Sequence, residues 1–342
     1  MNKKSPFLVA PFHYFGGKRR VAELVWARFG EVDNYVEPFC GSLAVLLKSP
    51  TITPTETVND LNGFVTNFWR AIKADPESVA KWADWPVSEV DLEARHAWLI
   101  SRGERLCWLL GDPDFHDSKV AGWWVWGQCA WIGSGWCLNT GPWCSTGVEF
   151  FKRKLCAAGN ELPGIKRALP SLSNKGMGFN RQLPAGTIDR SHFIFDWCLA
   201  LSQRLRDVRL TCGDWKRTVT PTVTTRHGVT ALFLDPPYGS DAIAKGLYTQ
   251  EQGVAAEAEA WCVANGGNAK LRIALCGYDD DYDLPGWTVE CGRATNAGYG
   301  SGAGNDNHRR ERIWFSPHCV SATSHSVQPN PNVCQRAVKT RR

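Results

Sequence analysis

The stretch that most constrains this chain is 33–75, where two short apolar runs alternate with two helix-compatible runs. "DNYVEPFCGSLAVLLKSP" (Asp33–Pro50) reads as a short strand, a turn at Cys40–Gly41 and a helix from near Ser42. The Ser42 hydroxyl is suited to cap that helix, accepting from the free amides of its first turn. "TETVNDLNGFVTNFWRAIKADP" then gives a second strand ending at Asp60 and a helix from about Asn62. Phe64, Phe68, Trp69 and Ile72 of that helix fall near one face. Strand–helix–strand–helix within so short a span implies an α/β fold with a doubly wound, mostly parallel sheet.

That rhythm stops at Pro76 and resumes near Arg206. It returns as "VRLTCGDW" (Val208–Trp215), "TALFLDPPY", the helix "QGVAAEAEAWCVANG", the strand "KLRIALCGY" and a last strand "ERIWFSP". The expected organisation is one domain in two pieces, 1–75 and 207–317, with a segment, 76–206, inserted between them. Ten of the 17 tryptophans lie between Trp82 and Trp143. They are read mostly as core, with one or two available to wedge into a partner. "NAGYGSGAGNDNH" (Asn296–His308) has the composition of a mobile loop. Residues 318–342 carry no acid, end in "VKTRR" and read as a disordered basic tail.

Composition enters mainly through what it excludes. No apolar run approaches the roughly 20 residues that span a bilayer, and "MNKKSPFLVAPFHYF" reads as structure rather than a signal peptide. The 13 cysteines are odd in number, irregularly spaced and without a C-x-x-C pair, which fits reduced thiols in a cytoplasm. Cys129, Cys137 and Cys144 are read as small thiols packed between tryptophans rather than as zinc ligands, and no metal is expected. A net charge of +5 permits an anionic partner without demanding one.

In an open parallel sheet, ligands sit beyond the carboxyl ends of the strands. Four such ends carry chemistry here. Glu37-Pro38-Phe39-Cys40-Gly41 offers a glycine turn with close backbone approach. Asp60 suits a ribose diol, whose two hydroxyls a carboxylate can accept, or caps the next helix. Asp214 could meet an adenine amino group or serve a cap. The fourth end is Asp235-Pro236-Pro237-Tyr238. Proline has a carbonyl but no N–H, so two in a row after an acid build a rigid edge rich in acceptors. Such an edge suits an NH₂ group: Asp235 takes one hydrogen, the Pro236 carbonyl the other, and Tyr238 supplies a face for stacking. An exocyclic amine is a poor nucleophile because its lone pair is delocalised. Two acceptors favour the pyramidal nitrogen, and the Asp235 charge stabilises the cation that develops on it.

Taken in order, "HYFGGKRR", "YVEPFCGSLAVLL", "TVNDLN", the Trp-rich segment, "FLDPPY" and "ERIWFSP" resemble the Dam-type, D12-class adenine-N6 DNA methyltransferases, particularly phage-borne ones. The likeness covers roughly residues 11–75 and 207–317. It implies a Rossmann-like methyltransferase fold, S-adenosylmethionine as cofactor, double-stranded DNA as partner, and a flipped adenine as target. It places Phe15, Gly16, Gly17 and Lys18 beside the methionine end of the cofactor and makes Glu37, Pro38, Phe39 and Gly41 its cradle. It gives Asp60 the ribose, Asp214 and Trp215 the cofactor adenine, and Asp235, Pro236, Pro237 and Tyr238 the catalytic pocket. The chain departs at Leu43, where many relatives carry a second glycine.

Target choice is expected in 76–206, where Lys152, Arg153 and Lys154, with Asn180 and Arg181, could contact phosphates or base edges. Arg309 and Arg310 belong to the basic cluster "HRRERIW". Competing readings are a cytosine-N4 methyltransferase, whose members more often carry Ser in place of Asp before the prolines, an RNA methyltransferase, and a catalytically silent DNA-binding module. The expected setting is the cytoplasm of a bacterium or phage-infected host, with no membrane and no obligate protein partner.

Overall fold

The computed structural model describes residues 8–14, 18–131, 136–137, 143–145, 150–152, 179, 190–237, 253–292 and 310–321. Its strands are β1 (Asn34–Glu37), β2 (Thr55–Asp60), β3 (Trp143–Ser145), β4 (Phe150–Lys152), β5 (Arg209–Cys212), β6 (Thr230–Leu234), β7 (Leu271–Tyr278), β8 (Thr288–Cys291) and β9 (Glu311–Phe315). Seven of them form one sheet in the order β5-β2-β1-β6-β7-β9-β8, and β3 and β4 pair separately. β9 is antiparallel to both its neighbours; the other ladders of the sheet are parallel. The chain winds outward from β1 in one direction and from β6 in the other. The order therefore reverses between these two neighbours, which is where an open α/β sheet leaves its crevice. This is the Rossmann-like methyltransferase architecture.

Both faces of the sheet are covered, so its central strands are apolar throughout rather than alternating. Ala231 and Phe233 of β6, with Ala274 and Cys276 of β7, point into one core. Leu232 and Leu234, with Ile273 and Leu275, point into the other. The first core is closed by α1 (Ala22–Phe29) and α2 (Gly63–Ala74), and the second by Ala258 and Cys262 of α8 (Val254–Asn265). α2 starts where the sequence suggests: the Asn62 side chain accepts from Phe64 N, and Phe64, Phe68, Trp69 and Ile72 are all buried.

The expected helix from Ser42 does not form. Residues 38–45 make a tight turn, followed by one 3-10 turn at Leu46–Lys48. Gly41 (φ +41°) and Leu43 (φ +55°) both adopt left-handed conformations, which a right-handed helix cannot include. Leu43 is also fully buried, so packing holds a leucine where glycine would sit without strain.

The Trp-rich region is helical. α3 (Pro76–Ala83), α4 (Glu89–Ile100), α5 (Gly103–Leu109), α6 (Ser118–Ala130) and α7 (Arg190–Leu205) follow α2. Asp75, Ser88 and Asp117 cap α3, α4 and α6 by accepting from Ser78, Asp91 and Val120 amides. Side chains of α3, α6 and α7 join the same core as α1 and α2. Arg204 of α7 makes a bidentate pair with Glu56 of β2 at 2.6 and 2.8 Å, both side chains buried. Trp124, Trp126 and Trp136 are core residues, and the Arg95 guanidinium lies 4.3–4.9 Å from the ring centroids of Trp85, Trp123 and Trp126. Trp108 is 79% exposed. Cys129 and Cys137 are buried cysteines outside any disulfide. Among the described residues, no helix is long and apolar enough to cross a membrane.

Candidate active site

The ends of β1, β2 and β5 are tied into one platform. Cys40 N donates to Asn59 O at 2.8 Å, and the Asn59 amide donates to Pro38 O (3.0 Å) and Gly213 O (2.9 Å). One side chain thus spans the segments that follow β1 and β5. Within the turn, Gly41 N donates to Asp60 Oδ2 at 2.9 Å and Leu43 N to Cys40 O at 2.7 Å. Two indoles hold it from below: Trp69 Nε1 donates to Gly41 O and Trp26 Nε1 to Val45 O, both at 2.8 Å. A Cβ on Gly41 would lie 2.5 Å from the Tyr14 ring, so glycine is required here by close approach as well as by φ.

Asp60 therefore has a structural task as well as a ligand-facing position. Its second oxygen accepts from Asn62 N at 2.8 Å. Burial raises its pKa to about 6, while hydrogen bonds from the Asn62, Gly41 and Leu61 amides oppose the shift. The Cys40 thiol also points at Asp60 Oδ2, at 4.0 Å, so the carboxylate is held largely by the turn itself. Asp214 caps the 3-10 turn Trp215–Thr218 by accepting from Lys216 N. The Phe39 and Trp215 rings lie 5.7 Å apart at 37°, and the buried Trp215 Nε1 has no partner among the described residues. A half-buried aromatic ring, an orphaned indole N–H and a pair of acceptors beside a glycine turn are a donor set that fits an adenosine.

Across the switch point, Asp235 follows β6 directly. Its Oδ1 lies 3.0 Å from Lys18 Nζ, with the side chains 16% and 7% exposed. Lys18 opens a 3-10 turn, Lys18–Arg20, just before α1. Burial raises the Asp235 pKa to about 6. The Lys18 ammonium and a Cys276 hydrogen bond pull it down, and the Glu311 charge pushes it further up. Pro236 is buried and Pro237 half-buried. Glu37, at the end of neighbouring β1, is fully enclosed. Burial lifts its pKa to about 8 against hydrogen bonds from Tyr35 and the Leu46 amide, with the Asp235 and Asp60 charges adding to the rise. The Tyr35 hydroxyl donates to Glu37 Oε2 at 2.8 Å. At neutral pH Glu37 is thus mostly a neutral acid in the floor of the site.

The structure brings Lys18, Glu37 and Asp235 together, and gathers Pro38, Phe39, Gly41, Asp60, Asp214 and Trp215 on the adjacent strand ends. Phe15, Gly16, Gly17, Tyr238, Arg153, Lys154, Asn180, Arg181 and Arg309 lie outside the described residues, as does the side chain of Lys152. Arg310 is engaged within the chain: it pairs with Asp279 (2.9 Å) and Asp280 (3.4 Å) and lies over the Tyr278 ring. Residues that sequence reasoning left out include Tyr14, Asn59, Trp69, Tyr35 and Cys276. Asn59 had a signal, since it directly precedes the strand-end acid. Cys276 had none, because a cysteine in an apolar strand reads as a small core residue.

No curated protein matches the chain. Residues 14–87 match the family model described as D12 class N6 adenine-specific DNA methyltransferase. That family methylates adenine in DNA, and methyltransferases of this kind generally draw the methyl group from S-adenosylmethionine. The match spans the glycine turn, the acid that ends β2 and the lysine that meets Asp235, so over these residues the chain is similar to the D12 class N6 adenine-specific DNA methyltransferases.

Proposed function

We propose that this enzyme acts on an adenine everted from duplex DNA, with the corner Asp235-Pro236-Pro237-Tyr238 receiving its N6 amine. The observation that carries the reading is the placement of Asp235. It stands at the end of β6, paired to Lys18, on the strand next to the one that leads into the glycine turn. A base still stacked in the duplex cannot reach such a recess, so it must leave the stack at a cost of a few kcal/mol.

Phe39, Gly41, Asp60, Asp214 and Trp215 would hold S-adenosylmethionine, which supplies a sulfonium methyl group as the electrophile. Asp235 and the Pro236 carbonyl would accept the two amine hydrogens and turn the nitrogen lone pair toward that carbon. The Lys18 ammonium holds the Asp235 oxygen that the amine needs, so the entering base displaces it from Oδ1. As the carbon–nitrogen bond forms, the bond from that methyl carbon to sulfur would break with its electrons left on sulfur, and N6 would release one proton. Asp235, whose burial raises its proton affinity, is placed to take it before passing it to water.

The segment 76–206 is the proposed site of target choice, within an enzyme whose transferase pieces are 1–75 and 207–317. Lys152, Arg153 and Lys154 are its candidate phosphate contacts. Trp108, the most exposed of the described tryptophans, is its candidate wedge.

The test is tritiated-methyl incorporation into unmethylated duplex DNA, followed by mass analysis of the labelled nucleoside. N6-methyladenine is the expected product. Label in N4-methylcytosine, or none on any DNA, would overturn the reading.

A further inference from the structure

Asp235 has a neighbour on each of two sides. Lys18 takes Oδ1 at 3.0 Å. The second neighbour comes from the next strand. β6 and β7 pair in parallel with Leu234 opposite Leu275, so the following residues, Asp235 and Cys276, are set side by side. Phe233 and Cys276 face the same core while Leu234 and Leu275 face the other, so Asp235 and Cys276 also project to the same side. Cys276 is fully buried beside Asp235, and its thiol favours the ionised carboxylate.

We propose that Cys276 is a positioning residue for the methyl transfer: its Sγ–H donates to the Asp235 carboxylate and, with Lys18, fixes the plane in which that carboxylate meets the amine. This rests on the reading of Asp235 given above. Burial and nearby acids hold the Cys276 thiol protonated, so it serves as a donor and not as a charge. The need for such a donor follows from the surroundings of Asp235. The Glu311 charge from β9 opposes ionisation of Asp235, enclosed Glu37 of β1 is mostly protonated, and among the described residues Lys18 is the cation paired with Asp235. When the amine displaces Lys18 from Oδ1, Cys276 is the group still holding the carboxylate.

The experiment compares Cys276→Ala and Cys276→Ser with the full-length enzyme, reading kcat against pH, the KM for S-adenosylmethionine, and thermal stability. Serine keeps a donor in nearly the same volume. Cys276→Ala is expected to lower kcat about tenfold, less than the roughly hundredfold lost with a strong donor aimed at developing charge. Its acid limb should move to higher pH while KM stays put, because losing a donor makes the carboxylate harder to ionise. Cys276→Ser should keep kcat within about threefold, with the acid limb in place.

An unmoved acid limb and unchanged kcat in Cys276→Ala would overturn the proposal. So would a Cys276→Ser enzyme as impaired as Cys276→Ala, which would make the residue a packing element alone. Asp235→Ala separates the two levels. Methyl transfer surviving in that variant overturns the reading of Asp235 itself. Its loss beside an indifferent Cys276→Ala overturns only the role of Cys276.

Discussion

Gly41→Ala offers a quantitative test of the turn that carries the cofactor platform. Two costs are separable. The backbone at φ +41° imposes about 1–2 kcal/mol on any L-residue. The new Cβ would also stand 2.5 Å from Tyr14 Cδ1 and 3.1 Å from Cε1, against an ordinary contact distance of 3.4–4 Å. The ring must therefore retreat by nearly an ångström, and such overpacking costs about 1–3 kcal/mol. Together they predict a loss of about 2–5 kcal/mol for Gly41→Ala. Only the steric part depends on the ring. In a Tyr14→Ala background, Gly41→Ala should cost about 1–2 kcal/mol, leaving a coupling of 1 kcal/mol or more between the two positions. Urea unfolding of the four proteins measures this cycle. Equal costs in both backgrounds would refute the contact, and a Gly41→Ala that costs nothing would refute the left-handed turn as well.

Three further outcomes follow from named groups. Glu37 holds a proton in the folded state up to about pH 8 but releases it near its usual 4.5 when unfolded. Stability should therefore fall as pH climbs between those values and level off above the upper one. Glu37→Gln should flatten that decline between pH 6 and 9 in thermal melts, and an equal decline in both proteins would contradict the burial of a neutral acid. Asp235 must be ionised to accept an amine hydrogen, so kcat should rise with pH through about 6 and then level, and a rate already maximal at pH 5 would count against it. Arg204→Ala strands Glu56 without its partner in the core and should cost about 3–5 kcal/mol. A loss under 1 kcal/mol in chemical unfolding would mean that α7 is not docked on β2 as described.

The strands were legible where apolar runs stop at a chemically marked residue: β1 at Glu37, β2 at Asp60, β6 at Asp235. Their carboxyl ends then supply the site. The edge strand β8 was not legible, because Thr288–Cys291 is largely exposed and has no apolar run to announce it. The helix expected at Ser42 failed for a reason a sequence hides. Gly41 advertises backbone freedom, but nothing in a leucine says that Leu43 will be held at φ +55° by its burial. α6 escaped notice because its tryptophans and glycines are buried nearly all round, which erases the helical period. The grip on Asp235 was half visible. The lysine of "GGKRR" and the acid of "DPPY" were each marked, yet their ion pair joins positions more than two hundred residues apart, and only the fold brings them together.

The most direct test of the account is single-turnover methyl transfer by Asp235→Ala, measured on duplex DNA alongside S-adenosylmethionine binding by calorimetry. With Asp235 as the amine acceptor and the platform on β1, β2 and β5 holding the cofactor, N6-methyladenine formation should vanish while cofactor affinity stays within about threefold of wild type. N6-methyladenine formed at the wild-type rate, or cofactor binding lost from a folded variant, would contradict it.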